Sequence, residues 1–150
     1  MNQINEELLS AWLRVSTSII NTRVVNELPY NEALVCNVLY RNTLEENSTP
    51  LTATDLCNST NMLKSQMNRT LNLLESKGII TRQRSETDKR QVHILFNLDE
   101  AVSYKKQHER ILLILDAIIA QLGVEKTEDV IDTLNNVANI ADNIINDKGE

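Results

Sequence analysis

Lys64, Ser65, Gln66, Asn68 and Arg69 fall within six consecutive positions, and Arg82, Arg84, Lys89 and Arg90 within nine. These side chains are hydrogen-bond donors and acceptors, with no nucleophile, general base or metal-ligand set among them. Arg and Lys pair with guanine edges or phosphate oxygens, Asn and Gln with adenine, and Ser with either. The chemistry they suit is recognition of duplex nucleic acid rather than bond-making. Asp88 lies within the second group and repels phosphate. Its expected task is to orient Arg84 or Arg90 by a charge-assisted hydrogen bond.

Charge separates this region from its surroundings. Residues 60–90 hold seven cations (Lys64, Arg69, Lys77, Arg82, Arg84, Lys89, Arg90) and three anions (Glu75, Glu86, Asp88), a net +4. The whole chain is −6, which leaves −10 for the remainder. A basic segment inside an acidic chain points to a local polyanion-binding surface. The competing reading is a solvated helix face and a surface hairpin of mixed charge.

The elements that must position these groups are legible in the local pattern. Leu51 suits a short strand, and Thr52 or Thr54 can cap a short helix over Ala53 to Asn58. Asn58-Ser59-Thr60-Asn61 is a cluster of turn and cap formers. A second helix is expected from about Asn61 to Lys77. Its apolar residues Leu63, Met67, Leu71 and Leu74 are spaced four, four and three apart, one face of a 3.6-residue period. The opposite face carries the first group of candidates together with Asn72. Gly78 stands where a helix C-terminus needs a left-handed residue, with Lys77 well placed against the dipole. Ile79 to Arg82 and Gln91 to Phe96 read as paired strands around a polar tip, Ser85 to Lys89. Helix, turn, helix and basic hairpin is the order of a winged helix-turn-helix, a DNA-reading module.

At this point the sequence resembles a known family. Leu74-Glu75-Ser76-Lys77-Gly78-Ile79-Ile80 is similar to the end of the recognition helix in the MarR family of multiple-antibiotic-resistance-type regulators. Arg82 to Arg90 resembles that family's wing, with Asp88-Lys89-Arg90 at its Asp-x-Arg motif and no gap between Gly78 and Asp88. One departure is clear: Asn97-Leu98-Asp99-Glu100-Ala101 stands where the family usually has Leu-Thr and then a Gly. The resemblance implies a homodimeric, cytoplasmic, non-enzymatic transcriptional repressor that needs no cofactor. Its two recognition helices would enter successive major grooves of a pseudo-palindromic operator, about 10 bp apart. The resemblance also implies a small phenolic or other apolar effector, bound between the dimer flank and the DNA-binding part. Such an effector would change the spacing of the recognition helices and relieve repression. A protein-interaction or adaptor module without DNA binding is the alternative, because winged helices serve in both ways.

The flanks carry a different pattern. Residues 3–26 place Ile4, Leu8, Trp12, Val15, Ile19 and Val24 at helical spacing. Pro29 breaks this pattern, and Asn31 can cap a helix carrying Leu34, Val35, Val38, Leu39 and Leu44. Past the hairpin, Asp99 can cap a helix reaching about Leu122. Its run from Ile111 to Ala120 is apolar nearly all round and needs cover on every side. Gly123 stops it, and a last helix is expected from about Thr127 to Ile145. The expected fold is mainly α with a small β-hairpin, one domain over 1–150. Within it, residues 30–98 form the winged helix, and residues 1–28 and 99–150 form dimerisation helices.

Composition bounds the rest. Aromatic residues are 3% of the 150, so Leu, Ile and Val must build the core. Three Gly and two Pro suit a helical chain with few loops. Cys36 and Cys57 lack metal-type spacing and suggest a reducing cytoplasm. The N-terminus lacks an apolar targeting run, and no stretch approaches the roughly 18–20 apolar residues of a membrane helix. His93 and His108 are isolated, and no metal site is expected. Phosphate-loop and nucleophile motifs are missing from the sequence. Cys36 sits among aliphatic residues as a small hydrophobe. Oxidation of Cys57, beside the recognition helix, is a possible perturbation of DNA binding. The first helix has no cysteine, so the oxidant-sensing route that uses one in some relatives is not expected.

Overall fold

The computed structural model describes residues 3–147. Their order is α1 (Gln3–Ile19), α2 (Tyr30–Leu44), β1 (Leu51–Thr52), α3 (Ala53–Thr60), α4 (Lys64–Ser76), β2 (Ile80–Arg84), β3 (Val92–Phe96), α5 (Val102–Leu122) and α6 (Val124–Asp147). The chain divides into two compact units, residues 1–110 and 111–150, and the boundary falls within α5. Residues 1, 2 and 148–150, included above in the flanking helices, lie outside the described residues. Among the described residues, no helix is long and apolar enough to cross a membrane.

The first unit is a winged helix-turn-helix. Its sheet has the order β1-β3-β2 and is antiparallel throughout, with Ile80 opposite Phe96 and Arg84 opposite Val92. Thr52 caps α3 through a capping box: its hydroxyl accepts from the Asp55 N–H at 3.3 Å, and the Asp55 carboxylate accepts from the Thr52 N–H at 2.8 Å. Asn61 ends α3 at φ 55°, a left-handed conformation that Asn tolerates better than most residues. The core gathers Val35, Cys36 and Leu39 from α2, Leu56 from α3, and Met67, Leu71 and Leu74 from α4. Ile79, Ile80 and Ile94 from the sheet region and Tyr104 from α5 complete most of it.

Several boundaries differ from the sequence expectation, each for a local reason. The first helix stops at Ile19 rather than 26, because the Asn21 amide donates to the Thr17 and Ser18 carbonyls and its oxygen accepts from the Arg23 N–H. Such side-chain bonds compete with the helical ladder. Asn31 does not cap α2. The helix begins at Tyr30, and extended Pro29 supplies the carbonyl that takes the Ala33 N–H. Helix α4 begins at Lys64, so Leu63 precedes it and stays 69% exposed instead of extending the buried stripe. Asp99 does not cap α5. It lies in a turn where the Asn97 carbonyl accepts from the N–H groups of Glu100 and Ala101, and the helix starts at Val102.

The second unit holds the end of α5, Gly123 and α6. Gly123 adopts φ +84°, as its position required. Its N–H donates to the Ile119 carbonyl at 2.8 Å, and its own carbonyl accepts from the Thr127 hydroxyl at 2.8 Å. None of the described residues of α1 or of α6 is buried.

Leu71 is fully buried at the centre of the α4 stripe. Leu71→Ala is expected to cost about 2–5 kcal/mol, the range for large-to-small core changes. Urea denaturation checks this, with a lowered midpoint at an unchanged m-value as the expected result.

Candidate nucleic-acid interface

The buried stripe of α4 decides which side chains it offers outward. Met67, Thr70, Leu71 and Leu74 face the core, so the helical repeat turns Ser65, Asn68, Arg69 and Asn72 to the opposite side. All four are exposed. The remaining two candidates flank this row. Lys64 lies toward α3, beside a cavity of about 210 Å³ that Cys57, Met67 and Asn68 also line. Gln66 lies toward α2 and lines, with Arg69, a second cavity of about 270 Å³ against Pro29 and Asn31. Its carbonyl oxygen accepts from the Leu63 N–H at 3.3 Å, so part of its bonding capacity starts the helix.

The wing is built the same way, from backbone needs outward. Ser85 is 94% buried by the turn it organises, with 6% exposed. Its hydroxyl accepts from the Asp88 N–H and meets the Thr87 hydroxyl at 3.1 Å. The Ser85 N–H donates to the Gln91 carbonyl, and the Gln91 N–H to the Asp88 carbonyl. Asp88 departs from expectation here: its carboxylate accepts from the backbone N–H of Arg90 at 3.0 Å rather than from a guanidinium. It shapes the tip rather than steering an Arg side chain. Arg84, Lys89 and Arg90 remain exposed on the wing.

Two cations counted as basic surface are engaged elsewhere. Lys77 pairs with the buried Glu32 of α2 at 2.5 Å. Arg82 pairs with Glu75 of α4 at 2.5 Å, which sets it at the base of the wing rather than its tip. No ion pair among the described residues engages Lys64, Arg69, Arg84, Lys89 or Arg90. Sequence spacing placed Lys77 and Arg82 in the right elements but held no signal of their partners, which depend on tertiary placement.

Behind the interface, α5 is fastened to the loop that precedes α2. The buried Gln107 carbonyl oxygen accepts from the Glu27 and Leu28 N–H groups, and Arg110 binds Asn26 and Glu27. Tyr40, Phe96, Tyr104 and His108 form an aromatic cluster, with Tyr104 and His108 stacked at 5.3 Å. Burial pushes the Tyr104 hydroxyl up to about 12, against the opposing hydrogen bond from Asn37. Burial also pushes the Cys36 thiol up to about 12, reinforced by Glu32 and opposed by Lys77. Cys36 is therefore a core hydrophobe, as its sequence context suggested. Cys57 is half-buried.

These elements define a winged helix-turn-helix. Residues 29–91 match the family model described as MarR family. Three solved structures are similar in fold. NadR in complex with 4-hydroxyphenylacetate is 24% identical at a TM-score of 0.72, covering 92% of this chain and 94% of that one. The transcriptional regulator BldR from Sulfolobus solfataricus is 20% identical at 0.67, covering 93% and 99%. BpsR from Bordetella bronchiseptica, whose structure concerns regulation of DNA binding by 6-hydroxynicotinic acid, is 12% identical at 0.68, covering 91% and 94%. No curated protein matches the sequence at a significant level. Over residues 29–91 this chain is thus similar to the MarR family of DNA-binding transcriptional regulators, and its fold is that of solved members.

Both raised groups stay protonated in the folded protein where the unfolded chain would ionise. The folded state then binds more protons, so stability is intact below about pH 9 and falls as pH rises toward about 12. In the native protein at pH 8, a thiol reagent is expected to modify Cys57 and to reach Cys36 only after denaturation. Two fast-reacting thiols would contradict the inert assignment of Cys36.

Proposed function

We propose that this protein is a homodimeric, sequence-specific DNA-binding regulator that represses by occluding its operator and is released by a small effector. The observation that carries the reading is the placement of the uncommitted cations. Lys64 and Arg69 stand on the recognition helix, and Arg84, Lys89 and Arg90 on the wing, within a chain of net charge −6. Ser65, Gln66, Asn68 and Arg69 would read base edges in the major groove. Arg84, Lys89 and Arg90 would neutralise phosphates or enter the adjacent minor groove. Arg82 would support the wing through Glu75, and Asp88 through the tip.

The dimer is supported by apolar surface that this chain leaves uncovered. Leu8 and Trp12 of α1 are 65% and 52% exposed, and Leu134, Val137 and Ile144 of α6 are also exposed. Helices with such stripes need a partner surface. A second copy would supply it with two-fold symmetry, which suits a pseudo-palindromic operator. The whole chain would then act as one functional domain, in the cytoplasm where its DNA lies. For the effector, 4-hydroxyphenylacetate with NadR and 6-hydroxynicotinic acid with BpsR support a small phenolic or heteroaromatic acid.

Fluorescence anisotropy with the DNA upstream of the protein's own coding region, against a scrambled duplex and at several salt concentrations, tests the central reading. A preference of about a thousandfold or more is expected, and no preference at any salt would sink it. Arg90→Ala is expected to lower the salt slope by about 0.9 while leaving base preference intact. Val137→Glu is expected to give monomers in analytical ultracentrifugation and to lose operator binding. Either 4-hydroxyphenylacetate or 6-hydroxynicotinate should raise the melting temperature and weaken DNA binding together, because a ligand that favours one state does both.

A further inference from the structure

The wing joins the recognition helix through Gly78, whose φ of +73° ends α4 in a left-handed turn. The Gly78 N–H donates to the Glu75 carbonyl and the Ile79 N–H to the Leu74 carbonyl. One residue with little steric restriction thus connects the two parts that would touch DNA. Those two bonds hold the α4 side of the turn, and the strand side needs a tie of its own. Asn97, the residue after β3, supplies it with three hydrogen bonds. Both protons of its amide are used, one on the Gly78 carbonyl and one on the Thr81 hydroxyl, each at 2.9 Å. Its backbone N–H donates to the Ile79 carbonyl at 2.8 Å. The Arg82–Glu75 ion pair adds a second tie one residue beyond Thr81.

We propose that Asn97 is a positioning residue for DNA recognition: it clamps the Gly78 hinge and so fixes where Arg84, Lys89 and Arg90 stand relative to the outer face of α4. Asn suits this role because its amide offers two donors at a fixed angle. Asn97 touches no base or phosphate in this scheme. Thr81 is its exposed partner on the wing. The inference rests on the DNA-binding reading, and its test separates the two.

The experiment measures operator affinity and salt slope for Asn97→Ala and for Thr81→Ala, in the native background and in an Arg84→Ala/Lys89→Ala/Arg90→Ala background. In the native background each variant is expected to weaken binding by about tenfold and to lower the salt slope by 1 to 2, as wing phosphates are released at roughly 0.9 each. In the wing-neutralised background neither change should remain. Hydroxyl-radical footprints should lose protection under the wing and keep it under α4. Hydrogen exchange on the free protein should speed up at Thr81 and Arg82 with α4 protection unchanged, a readout independent of DNA. Equal losses in both backgrounds, or α4 amides exchanging as fast as those of the wing, would mean only general destabilisation and overturn the clamp. Wild-type protein that binds no duplex would remove the DNA reading, and unchanged wing exchange in Asn97→Ala would then remove the clamp itself.

Discussion

The burial of a single stripe along α4 governs the rest of the first unit. Met67, Leu71 and Leu74 are fully buried among side chains from α2, α3 and the sheet region. A helix held on one side has no choice about what it offers on the other. The identity of the outward row follows from the inward one, and so does the direction from which a groove would meet it. Few free rotations remain once the stripe is seated, because close-packed interiors do not deform continuously. The capping box at Thr52 and the left-handed Asn61 serve the same end, since the first sets where α3 starts and the second where it stops, and so how α4 is offset from it.

Electrostatics is organised by commitment rather than by count. Seven cations in residues 60–90 suggest a uniformly basic surface, yet two of them are partnered by carboxylates that hold the fold together. Glu32 is 3% exposed, and a buried carboxylate needs its partner far more than a surface one does. The cations left over lie on the helix and wing. A polyanion would therefore meet charges that need not break an internal pair to bind. This sharpens the contrast with the acidic remainder of the chain, which would hold DNA off other surfaces.

Much of the fold was legible in the sequence because its signals are local and mutually consistent. A threonine cap at Thr52 or Thr54, the glycine stops at Gly78 and Gly123, the four-and-three spacing of α4 and the two strands around a polar tip all rest on neighbours within a few residues. The candidate residues were likewise placed on the correct elements. The misreadings share a cause. Asn21 spends its amide on backbone groups, and Asn97 divides its amide between a backbone carbonyl and the Thr81 hydroxyl. Asp88 is spent on a turn N–H, and Leu63 falls just outside its helix. Each is decided by which of several possible hydrogen bonds the folded chain makes, and residue type alone cannot rank them. Asn97 stood out only as a departure from the family pattern. Its three bonds depend on strands and a helix end that approach each other only after folding.

The tip of the wing has a further consequence. It closes on itself through Ser85, Asp88 and Gln91, with Ser85 buried inside a turn of polar residues. A loop already folded before contact surrenders little conformational freedom on docking. Encounter with a partner is then limited by diffusion and electrostatic steering rather than by waiting for a segment to order. The heat-capacity change of association should accordingly reflect the apolar area covered, without the large additional contribution that accompanies coupled folding.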